Sequence, residues 1–248
     1  MLEPGEYLGH IRAAADGVLA ALARGPVDVR VPTCPEWTVR DLVEHLGRVH
    51  EWVSGIVISG NALEQEPDGL GDGEDVSAWY IERVGFLLDA LESAGPDRPC
   101  GTHQPGNQRA LYWFRRQALE TATHRVDAEL AQERPARFDQ ELAADGIGEV
   151  LDVWIPKISQ VMQSPDLGAP VLLACTDRPE RWLVSPDGGD THGPELTESQ
   201  ALAAAASVAG QADDLLLVLW NRRQVDDRIA LAGDIEIARR FLTSTLTP

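Results

Sequence analysis

The chain has 248 residues, 44% of them hydrophobic and 25% charged, with 40 acidic against 21 basic residues and a formal net charge of −19. That length fits one large domain or two small ones, with a core that needs no disulfide or metal as a staple. The acidic balance argues against nucleic acid or an anionic membrane as a partner, because phosphates are repelled at long range, but it leaves room for a small anionic substrate in a local basic pocket.

The first two-thirds of the chain read as helices. Leu8, Ile11, Ala15, Val18, Leu19 and Leu22 fall at helical spacing between Glu6 and Ala23, and Gly25-Pro26 stops the run. Val31 to Trp37 is too proline-rich for a helix. Thr38 opens a second helix, with Asp41 three residues on as a capping-box acid and an apolar stripe through Leu42, Leu46, Val49, Val53 and Ile56. Gly60 to Asp75 reads as a long exposed loop, and its Asp72-Gly73-Glu74-Asp75 run lacks the length and spacing of a calcium loop. A third helix is predicted from about Val76 to Ser93 with Trp79, Val84, Phe86, Leu87 and Leu91 inward, and a fourth from Asn107 to Gln132. Asp145 to Met162 reads as a fifth, broken or kinked at Pro156.

The character changes near Ser164-Pro165. Val171 to Cys175 and Trp182 to Val184 read as short strands, Pro186 to Pro194 as a polar loop holding an exposed His192, and Leu202 to Val208 as strand or helix. Asp213 to Arg222 reads as an apolar helix, Ile229 to Leu231 as a strand and Asp234 to Leu246 as a final helix. The layout is α+β: a four-helix bundle over residues 1–163, then a small α/β domain over 164–248. No window reaches the ~18–20 apolar residues of a membrane span. The N-terminus has no basic region of a signal peptide, and Cys34, Cys100 and Cys175 are odd in number and far apart, so a reducing cytoplasm is the simplest location.

The most informative pair is Glu120 and His124. Four residues apart on a helix, they lie about 40° apart around its axis, so both side chains leave one face. A carboxylate and an imidazole so spaced suit one divalent metal; a solvated pair on an exposed face is the plainer alternative. His45 sits on the apolar stripe of the second helix, either as a hydrogen-bonded core residue or as a ligand inside the bundle. Taken with Glu120 and His124 it makes a His2Glu site plausible, and three protein ligands leave a position for water or substrate. His50 is about 140° around the helix from His45 and reads as a boundary residue packing near Trp52. Asp127, one turn beyond His124, is either the carboxylate that orients a ligating histidine or a surface acid near Arg125. Cys34 has no histidine beside it in sequence to make it a nucleophile.

Val31-Pro32-Thr33-Cys34-Pro35-Glu36-Trp37-Thr38-Val39-Arg40-Asp41-Leu42-Val43-Glu44-His45-Leu46 resembles the helix-2 signature of the mycothiol-dependent maleylpyruvate isomerase family. Glu120 to Asp127 resembles that family's E-x-x-x-H-x-x-D segment, and Ala212 to Arg223 and Gly233 to Leu242 resemble its C-terminal domain. The resemblance implies a DinB-like bundle with a divalent metal, usually zinc, on His45, Glu120 and His124. It also implies a small sterol-carrier-like C-terminal unit in which Arg222 helps to form the cleft, although Asn221 stands before it where a glycine is common. The activity so implied is that of a thiol transferase or isomerase using mycothiol on a small electrophile, with the metal presenting the thiolate and Arg222 holding a carboxylate. The residues leave two rivals: a metal-dependent hydrolase, and a non-catalytic binding or regulatory module whose metal shell is closed by a fourth ligand such as Asp41. Neither the substrate nor the oligomeric state follows from the sequence.

Overall fold

A glutamate, a threonine and an aspartate start three of the first four helices. Glu3 precedes α1 (Pro4–Leu22) and forms a reciprocal capping box with Glu6, with Pro4 in the first turn, where its missing N–H costs nothing. The proline-rich stretch that follows is a small antiparallel hairpin, β1 (Arg30–Val31) and β2 (Cys34–Thr38). Thr38 ends that hairpin and caps α2 (Val39–Ser59): its Oγ1 accepts from the Asp41 N–H at 3.2 Å, and the Thr38 N–H donates to the Asp41 carboxylate at 2.8 Å. Asp75 caps α3 (Val76–Ala94), and α4 (Leu111–Ala131) completes the set. The computed structural model describes residues 1–61, 67–71, 73–104, 106–159, 166–186, 191–193, 196–244 and 246–247.

Helix α1 packs on α4 and α2 packs on α3, while α2 also lies against α4. Leu42, Leu46, Val18, Tyr80 and Ala128 meet in the buried core of this unit, Met1–Ala136. The contact between α2 and α3 is close. A Cβ added to Gly47 would stand 2.0 Å from a ring atom of Trp79, so only a glycine lets that indole sit this close to the helix. Phe86, expected inside, is 45% exposed, because the buried face of α3 centres on Tyr80, Leu87 and Leu91 and Phe86 lies a full helical step from Leu87. The Arg83 guanidinium covers its ring at 5.6 Å.

The second unit is Arg137–Pro248. Its first helix, α5 (Gln140–Glu149), starts earlier than Asp145 because Asp139 caps it, accepting from the N–H groups of Glu141 and Leu142. Residues Val150–Trp154 form a single π turn, in which the Ile155 N–H bonds the Val150 carbonyl, and α6 (Ile155–Ser159) follows. The wide turn falls just before Pro156, whose ring would crowd the carbonyl of an ordinary α-turn and whose nitrogen has no proton to give it. The expected end of this helix at Met162 lies outside the described residues, as do Asp72 and the Ser164-Pro165 change of character.

A five-stranded sheet follows, in the order β5-β4-β3-β6-β7, from β3 (Val171–Cys175), β4 (Arg181–Val184), β5 (Thr191–His192), β6 (Ala206–Gly210) and β7 (Ala230–Gly233). Strands β3 and β6 are parallel and the other pairs antiparallel. The ambiguous segment Leu202 to Val208 thus turns out to join the short α7 (Glu198–Ala201) to the strand β6. His192 lies on the edge strand β5 instead of in a loop. Helix α8 (Ala212–Leu219) packs on β6 and on α5, and α9 (Ile235–Thr243) on β3, β6 and β7. Because α5 packs on α8, the chain divides between Ala136 and Arg137, earlier than the 163/164 boundary read from the sequence. The fold is α+β, a helical region followed by a small mixed-sheet unit.

Substitution of Gly47 by alanine is expected to destabilise the protein by about 1–3 kcal/mol, as overpacking does, despite alanine's better helix propensity. A urea-unfolding midpoint equal to that of the wild type would mean that Trp79 moves aside without cost.

Candidate metal centre

Helices α2 and α4 bring three donors to one point. The Glu120 Oε1 lies 3.4 Å from His45 Nε2 and 3.3 Å from His124 Nε2. One donor atom from each residue lies within 4.8 Å of the others, and no fourth His, Cys, Asp or Glu joins the group among the described residues. Asp41 does not approach: it is committed to the cap of α2, and the hydrogen bonds from Thr38 hold its carboxyl below the usual range. The side chains of His45, Glu120 and His124 keep 23%, 17% and 10% of their exposure, so the cluster is largely but not wholly buried.

Each donor is held from behind. The His124 Nδ1–H donates to Asp127 Oδ2 at 2.9 Å, which turns Nε2 toward Glu120. Asp127 is fully buried and also accepts from the Thr33 hydroxyl at 2.5 Å, so the turn of the β1–β2 hairpin steadies the carboxylate that steadies the histidine. The second oxygen of Glu120 is bonded by the buried Arg116, one helical turn away. Trp37, just before α2, packs at a tilt against both rings, with centroids 4.8 Å from His45 and 6.1 Å from His124. The sequence reading did not single out Trp37 or Arg116. Arg116 was accessible to it, standing four residues before Glu120 on one helix face.

The charges follow from this packing. Burial alone would push the Glu120 carboxyl up, but Arg116 and then the two histidines hold it well below the usual carboxylate range. Burial disfavours a charged His124, yet the Glu120 and Asp127 carboxylates outweigh it and raise the pKa to about 9. Two imidazole nitrogens thus converge on one anionic oxygen. Such a cluster of lone pairs calls for a cation between them, and in the metal-free protein a proton on His124 serves. The donor set, two imidazoles and a carboxylate, fits a divalent metal.

His50 is not the boundary residue expected. It is fully buried, its Nε2 lies 3.1 Å from the Thr121 hydroxyl, and its ring stacks on Tyr80 at 5.6 Å. Thr121 already gives its proton to the Gln117 carbonyl, so Nε2 is the protonated nitrogen. The reason is that α2 is covered on two sides, by α3 and by α4, so a position 140° from His45 is still inside. Cys34 stands half-buried at the start of β2 and is not part of the donor cluster. Arg222 lies in the second unit, just after α8. Its guanidinium donates to the Trp220 carbonyl at 2.8 Å and sits 5.7 Å from that ring. Asn221 has φ 56°, and the Arg222 N–H reaches back to the Leu217 carbonyl, so the helix closes in a left-handed turn that glycine or asparagine can adopt.

A helical unit with a His–Glu–His cluster, followed by a small mixed sheet, defines the class. Residues 8–129 match the model of the mycothiol maleylpyruvate isomerase N-terminal domain, and residues 141–239 match that of the MDMPI C-terminal domain. The chain belongs to this family. Among solved structures it is similar to the mycothiol-dependent maleylpyruvate isomerase, with a TM-score of 0.63, 15% identity and 93% of each chain covered. It is equally similar to a point variant of that enzyme, at 14% identity. At these identities the likeness is one of fold. No curated protein matches the chain.

Burial pulls the His50 pKa from 6.5 down to about 3. The unfolded chain takes up that proton near pH 6.5 and the folded one does not, so the stability from His50 is full above pH 6.5 and is lost as pH falls toward 3. His50→Met is expected to flatten the acid side of the stability profile relative to wild type, measured by urea unfolding at pH 7.0 and 4.5. Parallel profiles would show that His50 charges in place.

Proposed function

We propose that the protein is a divalent-metal-dependent thiol transferase or isomerase that uses mycothiol, or a closely similar thiol, on a small electrophilic substrate. The observation that carries this reading is the three-donor cluster, which no fourth His, Cys, Asp or Glu closes among the described residues. A closed four-ligand shell would have favoured a structural or regulatory module. Zinc is the metal we assign, and its ligands are His45 Nε2, Glu120 Oε1 and His124 Nε2. A metal bound there supplies Lewis acidity that lowers the pKa of a thiol entering the open position.

The chain's own residues supply the rest. Asp127 keeps the His124 lone pair directed at the site and takes up the positive character of the ring. Arg116 occupies one oxygen of Glu120 and leaves the other to bind. Trp37 covers one side of the cluster and keeps bulk water from that face. Arg222 is proposed to hold a carboxylate of the thiol or of the substrate through its fixed fork of N–H groups. In the isomerase version the thiolate adds to one carbon of a cis double bond. The bond, now single, rotates, and elimination returns the thiolate and releases the trans product, with no net consumption of thiol. We place the protein in the cytoplasm. None of its three cysteines is disulfide-bonded, and among the described residues no helix is long and apolar enough to cross a membrane.

Elemental analysis of the purified protein is expected to find about one zinc per chain, lost in Glu120→Ala and bound about 10–100-fold more weakly in Asp127→Asn. Metal content unchanged in Glu120→Ala would remove this reading. With the metal in place, turnover of electrophiles without any thiol would favour a hydrolase, and a strict thiol requirement the transferase or isomerase.

A further inference from the structure

His50 is a buried imidazole that the donor cluster does not use. Its Nε2–H donates to the Thr121 hydroxyl of α4 at 3.1 Å. Thr121 in turn donates to the Gln117 carbonyl at 2.7 Å, so this run of bonds ends in the backbone of the helix that carries Glu120 and His124. The other ring nitrogen of His50, Nδ1, is buried with no hydrogen-bond partner. A leucine or methionine of similar volume would avoid that cost, so filling the core does not by itself account for an imidazole here.

The bond stands at a telling place. Thr121 follows Glu120 directly, and His50 follows His45 by five residues. The bond therefore lies about 140° from His45 around α2 and about 100° from Glu120 around α4. The donor cluster joins the same two helices, His45 coming from α2 and Glu120 and His124 from α4. One point of contact leaves two helices free to roll and slide about it, and a second contact at another angle removes that freedom. A slip of α2 by one residue, about 1.5 Å along its axis, would leave a buried N–H without its acceptor, where no bulk water replaces it.

The three ligands also differ in what backs them. Glu120 is held by Arg116 and His124 by Asp127, all on α4. His45 has no hydrogen bond besides the one to Glu120 among the described residues, so its place depends on where α2 stands. We infer that His50 is a positioning residue for the metal centre, an inference that rests on the metal-dependent reading above. Through Thr121 it sets the register and rotation of α2 against α4, and so places His45 Nε2 beside the two donors of α4. A metal tolerates errors of only about 0.2 Å in its ligand distances, which makes the setting of the second helix a property of the site.

The test is binding of zinc and of cobalt to wild type, His50→Met, His50→Gln and Thr121→Val. Glutamine can present an amide N–H where the imidazole Nε2–H stands, methionine cannot, and valine keeps the outline of threonine without its acceptor. Zinc affinity is measured by competition with a chelator, and ligand geometry by the visible absorption of the cobalt form. His50→Met and Thr121→Val are expected to bind zinc about tenfold more weakly and to change the cobalt spectrum, while His50→Gln stays within about threefold of wild type. Should His50→Met fail to fold, Thr121→Val against wild type decides the matter. A purely structural role would lower the unfolding temperature of the metal-free variants and leave zinc affinity and the cobalt spectrum unmoved, which would overturn the inference and leave the metal centre standing. Equal losses in His50→Met and His50→Gln would overturn it too, because the hydrogen bond would then not be what places His45. A wild type that holds neither metal would remove the metal centre and this role with it.

Discussion

The interaction on which the site depends is the pair of hydrogen bonds on the buried carboxylate of Asp127. One arrives from the Thr33 hydroxyl and one from the His124 ring. A buried anion is stable only when its oxygens are bonded, so the carboxylate demands both donors. Meeting that demand joins the β1–β2 hairpin to α4 and fixes the rotamer of a residue of the donor cluster at once. The same hairpin ends in Trp37 and Thr38, the first packing against the two histidine rings and the second starting the helix that carries His45. A short proline-rich segment therefore sets the start, the direction and the roof of the cluster.

Much of this was legible in one dimension. Thr38 and Asp41 mark the start of α2 because a cap is a local contract between residues three apart. Glu120, His124 and Asp127 share a face by helix arithmetic, and His45 stood out as a polar residue on an apolar stripe. What could not be read was which neighbour each face would meet. Periodicity gave α2 one buried side, but α3 and α4 both pack on it, so His50 is as deep as the core. Phe86 failed for the opposite reason: a spacing compatible with burial fell just beyond the edge of the covered face. The packing of Trp37 against the histidines spans a turn and two helices, and no spacing rule contains it.

The second unit shows the same division between local and distant information. Three of its strands, β3, β4 and β7, were legible as short apolar runs, and Pro156 marked the disturbed helix. The parallel pairing of β3 with β6 was not legible, because it joins segments separated by a hairpin and a short helix. Nor was the allegiance of α5, which continues the helical pattern of the first unit in sequence but packs on α8 of the second. Composition changes where the strands begin, whereas the compact units divide where the packing changes, and here the two places differ.

The contact of Gly47 with Trp79 has a further meaning for how this chain can vary. It lies two residues from His45, so it ties the rotation of α2 about its own axis to the face of α3. One residue inserted between Thr38 and His45 would have to choose. Either Gly47 stays against the indole and the hairpin is displaced from its cap, or the helix turns by about 100° and carries the imidazole out of the cluster. This stretch of α2 therefore has a fixed length. Relatives sharing the cluster should accumulate their insertions and deletions elsewhere, in connections such as the one between α2 and α3, where no helical phase is being kept.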